Sequence, residues 1–188
     1  MPRPANQSNH DPDAVLDAYL VVQAQTGDRG ALAVLVRRWR SRVQVYAMRL
    51  SADRSMAEDV SQDTWLSVAR GLSRLDDPAR FRAWLYSIVR RRAADSIRAR
   101  RRARRDRTDR ASPTTVEHRT ENPIDEALAA ISPDDRELLT LRHIDELGVT
   151  ELAEVFGVPS GTIKSRLHAA RERLRAAIAA SNTERSEP

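Results

Sequence analysis

Residues 149–178, VTELAEVFGVPSGTIKSRLHAARERLRAAI, hold the densest set of positions with chemical potential in the chain. Leu152, Ala153 and Phe156 give a short helix an inward face, and Ala153 is small where two helix backbones must approach. Gly157 can take the positive φ that ends a helix. Val158 plugs the turn, Ser160 caps the next helix, and Ile163 and Leu167 anchor it. Ser160, Gly161, Thr162, Lys164, Ser165, Arg166, His168 and, further along, Arg171 then occupy the exposed N-terminal half of that helix. Hydroxyls, a glycine and cations on these turns suit phosphates and guanine edges in a major groove, the geometry of a helix-turn-helix. Gly161 and the helix dipole favour close approach to a phosphate. A plain helical hairpin with a solvated basic face is the alternative.

Two further clusters stand upstream. Phe81, Trp84 and Tyr86 lie within six residues and run directly into Arg90, Arg91 and Arg92. Rings beside cations hold unpaired bases and backbone phosphates, although Phe81 and Trp84 also fit ordinary core packing. Residues 57–68, AEDVSQDTWLSV, place Glu58, Asp59, Gln62 and Asp63 on one side of a helix, with Val60, Trp65 and Val68 facing elsewhere. An acidic face with an amide repels DNA and suits a basic protein partner; a merely solvated face is the alternative.

No pattern supports bond chemistry. The chain has no cysteine, its four histidines are scattered at 10, 118, 143 and 168, and no phosphate-cradling glycine loop or metal-ligand spacing occurs. Neither enzymatic activity nor a cofactor is expected. Charged residues make up 31% of the 188 positions, and no run of about 18 apolar residues exists. The polar, proline-containing start has no signal-peptide pattern, so a cytoplasmic protein without membrane insertion is expected. The formal charge of +5 says less than its distribution: basic residues crowd 90–110, acidic ones 53–63 and 121–154.

The elements that must position these groups all have helical periodicity. Residues 1–13 read as a flexible tail. Helices are expected over Ala14–Thr26, Arg29–Leu50, from a Ser55–Glu58 capping box to Gly71, and from Asp77-Pro78 through the arginines. The second carries Leu32, Leu35, Val36, Trp39, Val43 and Tyr46 on one stripe. Periodicity fails over 103–121, which reads as a linker. Asn122-Pro123 and Ser132-Pro133 open two more helices, Thr150 caps another, and the last runs from Ser160 through Ile178. The fold class is therefore all-α: two small helical domains, 14–102 and 122–180, joined by a flexible linker, with a tail over 181–188.

All three clusters, in this order, resemble the extracytoplasmic-function (ECF) sigma factors of the sigma-70 family, over roughly residues 20–178. AEDVSQDTWLSV is similar to region 2.2, FRAWLYSIVRRRAADSIR to regions 2.3 and 2.4, and GTIKSRLHAARERLR to region 4.2. The resemblance implies that Glu58, Asp59, Gln62 and Asp63 meet the β′ coiled coil of core RNA polymerase. It implies that Arg74, Arg80, Trp84, Arg90 and Arg91, with the loop SRLDDPAR over 73–80, serve the −10 element. Ser160 to Arg171 would read the −35 element of promoter DNA. The triple arginine at 90–92 departs from a family pattern that often has Asn there. It further implies regulation by a separate anti-sigma protein, with no room for the larger relatives' inhibitory and region 3 segments or for a fused sensor domain. The residues alone leave open a conventional repressor or activator with a ligand-sensing N-terminal half, and a protein-binding adaptor.

Overall fold

A computed structural model describes residues 12–106 and 123–184, and the side chains of 12–103 and 126–180. The chain divides into two compact units, Met1–Arg100 and Arg101–Pro188. Among the described residues every regular element is helical, and no helix is long and apolar enough to cross a membrane.

The first unit is built from α1 (Pro12–Gln25), α2 (Arg29–Leu50), α3 (Arg54–Gly71) and α4 (Phe81–Asp106), with two 3-10 turns, Leu72–Arg74 and Pro78–Arg80, between the last two. Asp28 caps α2 by accepting from the Gly30 and Ala31 amides. The inner stripe of α2 is Ala31, Leu35, Trp39, Val43, Tyr46 and Ala47, whereas Leu32 and Val36 are only half-buried. Trp39 packs edge-on against Phe81 and Tyr86, with centroids 6.1 and 6.2 Å away, and Tyr46 lies 5.0 Å from Tyr86. Inside this ring cluster sits a carboxylate that the sequence reading passed over. Asp17 is buried, accepting from Trp39 Nε1 at 2.9 Å and from Arg38 Nε at 2.9 Å. A buried carboxylate is tolerable only when paired and fully hydrogen-bonded.

The expected capping box at Ser55 is not how α3 begins. Asp53, in extended conformation, is the cap, its Oδ1 accepting from the Met56 amide at 2.8 Å. Glu58 accepts instead from Arg54 Nε at 2.9 Å. The carboxylate two residues upstream wins because it also meets Arg100 of α4, at 2.5 Å. Asp77 does cap, accepting from the Ala79 amide at 3.0 Å, but it opens a 3-10 turn that leads into α4. Helix α4 extends to Asp106, past the boundary placed at 102, since arginine and alanine sustain a helix. The rest of the expected linker, and the tail before Pro12, lie outside the described residues.

The second unit comprises α5 (Pro123–Ala130), α6 (Pro133–His143), α7 (Val149–Phe156) and α8 (Ser160–Glu184). Ser132 caps α6 through its hydroxyl, and Arg136 bonds the Leu128 and Ala129 carbonyls, satisfying the end of α5. Gly148, not Thr150, is the cap of α7: its amide donates to the Glu151 carboxylate at 2.7 Å. The inward face of α7 is Leu152 and Val155; Ala153 and Phe156 are half-buried. Gly157 ends α7 at φ 65°, the left-handed conformation its missing Cβ permits. The Pro159 carbonyl accepts from Thr162 and Ile163, which makes Ser160 the first helical residue of α8 and not its cap. Helix α8 continues to Glu184, into the stretch expected as a tail.

Candidate nucleic-acid interface

Helices α7 and α8, joined by the Gly157–Pro159 turn, form the helix-turn-helix pattern read from the sequence. Ile163, Leu167 and Ala170 are buried, which turns the opposite arc of α8 outward. On that arc Ser160, Gly161, Lys164, Ser165, Arg166 and His168 are exposed, and Thr162 is half-buried. A Cβ at Gly161 would meet nothing within 4 Å, so the surface there is open. Lys164 and Arg166 are two residues apart, hence about 200° apart around the axis. They flank the arc centred on Gly161, Ser165 and His168. Neither is engaged by an ion pair or hydrogen bond within the described residues. Arg171 is different: it is half-buried near His143 of α6, where its charge adds to burial in depressing the His143 pKa. Further along, Arg173 is fixed by Asp135 of α6 at 2.7 Å. The cations of α8 are thus free in its first two turns, while Arg173 and Arg175 beyond them are ion-paired.

In the first unit the expected −10 residues separate. Phe81 and Tyr86 are core. Trp84 is half-buried, its ring laid against Gly71, where a Cβ would come within 3.3 Å of the ring. Gly71 therefore permits that ring position by lacking a side chain. Trp84, Arg91 and Arg98 recur every seven residues and share one face of α4, whereas Arg90 is about 100° away from Arg91 and half-buried. Arg91 is exposed. Arg92 donates to Ser67 Oγ of α3 at 3.0 Å, and Arg98 pairs with Asp95. Arg100 is held by Asp53, and that bond, with a smaller part from the Met56 amide, keeps the Asp53 carboxyl below the usual carboxylate range.

The 73–80 loop is positioned by a residue that the sequence reading did not single out. Gln25, at the end of α1, donates from Nε2 to the Leu72 and Leu75 carbonyls at 3.0 and 2.8 Å. Arg74 and Arg80 project from the loop, both exposed. A lone glutamine at a helix end carries no sequence signal for such a clamp.

On α3, Glu58, Asp59, Gln62 and Asp63 are all exposed, opposite buried Met56, Val60, Thr64 and Val68. Leu66, one turn past Gln62 and Asp63 on the same side, is 45% exposed, an apolar side chain within an otherwise polar face that the sequence reading missed. No group of side chains among the described residues could hold a metal ion.

Comparison with known proteins places both units in described families. The "Sigma-70 region 2" family matches residues 35–103, and "Sigma-70, region 4" matches residues 121–174. The chain is 32% identical over 173 residues to the ECF RNA polymerase sigma factor SigE of Mycolicibacterium smegmatis, covering 85% of this chain and 67% of that one. It is 31% identical over 156 residues to the RNA polymerase sigma factor CarQ of Myxococcus xanthus, covering 79% and 90%. Among solved structures it is similar to CnrH, in complex with the cytosolic domain of CnrY, with TM-score 0.65, 28% identity and 88% and 98% coverage. It is also similar to the sigma factor RpoE of Bartonella quintana, in complex with the anti-sigma factor NepR, with TM-score 0.61, 25% identity and 77% and 94% coverage.

Proposed function

The chain belongs to the sigma-70 family as an ECF RNA polymerase sigma factor, a non-enzymatic subunit of transcription initiation, and from that premise we propose how its surfaces divide the work. The exposed, unpaired arc of α8 reads duplex −35 DNA. Gly161, Ser165 and His168 face the groove, and Lys164 and Arg166 reach to its opposite walls. Ser160 and Thr162 add hydroxyls at the helix start, where backbone amides and dipole favour phosphate. Arg171, half-buried and seven residues beyond Lys164, lies on the same side of α8 and extends the DNA-facing set.

The Trp84–Arg91 face of α4, with Arg74 and Arg80 on the adjoining loop and Arg90 beside it, serves the −10 element. The ring offers a stacking surface for an unpaired base, and the guanidiniums meet phosphates. Glu58, Asp59, Gln62 and Asp63, with Leu66 as an apolar contact, meet a basic surface of core polymerase, the β′ coiled coil. A separate anti-sigma protein is the proposed regulator, supported by the complexes in which CnrH and RpoE were solved. The domains assigned to these tasks are 14–102 and 122–180, and the site of action is the cytoplasm, where polymerase and promoters meet.

The observation that carries this reading is the pairing of free cations on α8 with an exposed acidic face on α3, two surfaces of opposite sign suited to two different partners. The test is reconstitution with sigma-free core polymerase on fragmented genomic DNA, mapping transcript starts. Starts sharing two upstream elements are expected. Asp59→Lys with Asp63→Lys should reduce core binding tenfold or more while leaving the thermal melt in place. Wild-type retention of that variant on core polymerase would refute the assignment of α3.

A further inference from the structure

Helix α1 exposes an apolar stripe that neither DNA nor the α3 face accounts for. Of the eight large hydrophobic side chains that are exposed among the described residues, four lie on this 14-residue helix: Val15 (54%), Leu16 (41%), Tyr19 (59%) and Val22 (42%). Its inner side is already satisfied by Leu20, Val21 and the buried Asp17. Between Asp13 and Asp28 the sequence holds a single charged residue, Asp17, and that one points inward. In a chain that is 31% charged, an outer helix face without a charge is the exception. A helix apolar on both sides is the pattern of one covered on both sides, and a contiguous exposed apolar patch is often a functional contact surface.

The chain's own remaining segments are poor covers. Residues 1–11, 107–122 and 185–188 contain, prolines aside, only Met1, Ala5, Ala111 and Val116 as apolar residues. The spacing of the stripe instead suits itself. Val15 and Val22 lie equally far from a midpoint between Ala18 and Tyr19, which places Tyr19 next to the centre. Two copies of α1 laid antiparallel bring Val15 of each against Val22 of the other and the two tyrosines together, with Ala14 and Ala18 small enough for close approach. A two-fold contact requires such self-complementarity. The antiparallel dipoles attract, and with no charge on the outer face nothing ionic is desolvated.

We propose that the outer face of α1 is a homotypic contact through which two copies of this chain associate. The stripe is smaller than the ~800 Å² per partner of a standard interface, so the dimer is weak and reversible, with dissociation in the micromolar range or above.

The experiment uses the nucleic-acid-free full chain in sedimentation velocity, from about 1 to 300 µM, the range a contact of this size should span. The expected result is a concentration-dependent shift from monomer toward dimer that persists at high salt, since an apolar contact is not screened. Tyr19→Glu with Val22→Glu should return the chain to monomer with an unchanged helical melt. Because the chain has no cysteine, Tyr19→Cys supplies a second arm that is independent of whether the double variant folds. Under mild oxidation it should form disulfide-linked dimer at least tenfold faster than Leu66→Cys, exposed on another helix. Monomer at every concentration, or equal crosslinking rates from the two positions, overturns the proposal.

Discussion

The first unit buries a carboxylate, an indole N–H and four packed rings; the buried side chains of the second, among the described residues, are aliphatic, from Ala127 and Ile131 to Leu167 and Ala170. Their basic helices differ in parallel. On α4, Arg92, Arg98 and Arg100 are engaged by Ser67, Asp95 and Asp53, whereas Lys164 and Arg166 on α8 are unengaged. A count of cations therefore overstates what α4 can offer to phosphate and describes α8 more faithfully. Arginines on α4 partly hold α3 against it, so the helix assigned to the −10 strand and the helix assigned to polymerase share their supports. The second unit has no such sharing in the first two turns of α8, where Lys164 and Arg166 hold no partner among the described residues.

The strongest way to break this contrast is to remove Asp17. Asp17→Ala strands the Trp39 N–H in the core and leaves Arg38 with Asp13 alone. It should destabilise the first unit by about 2–4 kcal/mol. All three tryptophans, 39, 65 and 84, lie in that unit, so urea unfolding followed by tryptophan fluorescence isolates the effect. A loss under about 1 kcal/mol would mean that the buried network is dispensable.

The next largest effect separates free from engaged cations. Lys164→Ala with Arg166→Ala should reduce the salt dependence of −35 duplex binding by about 2 in log–log slope, near 0.9 per phosphate contact. Arg98→Ala should change the slope for −10 DNA by much less, because Asp95 already neutralises it. Equal slope changes from the two helices would erase the distinction.

Gln25→Ala tests whether the loop at 73–80 depends on α1. Loss of the two part-buried bonds that Gln25 Nε2 donates should lower promoter opening several-fold, as followed by permanganate reactivity, while affinity for core polymerase stays as in the wild type. Unchanged opening would show that the loop is held by its own turns.

The smallest effect concerns pH. The Arg100 bond and the Met56 amide lower the Asp53 carboxyl in the folded chain. Its contribution is present above the unfolded carboxylate pKa, about 3.9, and disappears as pH falls through the lower folded value. Between pH 5 and 2 the melting temperature of the wild type should fall more steeply than that of Asp53→Ala. Parallel curves would mean that the cap and ion pair add nothing.

The boundaries of α2 were legible to the residue at both ends, because periodicity, Asp28 and the gap at 51–53 agree, whereas α4 starts only after a 3-10 turn and α8 runs past Ile178. The exposed arc of α8 was legible as well: Ile163 and Leu167 are buried opposite it, and Gly157 takes the left-handed conformation that its type allows. Caps were less so. Ser55, Thr150 and Ser160 each had the right side chain, yet Asp53, Gly148 and the Pro159 carbonyl stand at the starts, because a cap is chosen by where the chain turns and by what meets it. Trp84 showed its type in the sequence but not its degree of cover, which depends on Gly71, thirteen residues earlier.

What the sequence by itself determined is whatever rests on spacing along one helix: the all-α class, the acidic arc of α3, the basic arc of α8 and the family to which their order points. What only the tertiary structure decided are contacts between residues far apart in the chain. These are Asp17 with Trp39 and Arg38, Gln25 with the 72–75 carbonyls, Arg100 with Asp53, and which arginines are left unpaired. The physical reason is that helical periodicity fixes the direction of a side chain around its own axis, while its partner is set by how the axes pack, and packing depends on the volumes of all the buried side chains together.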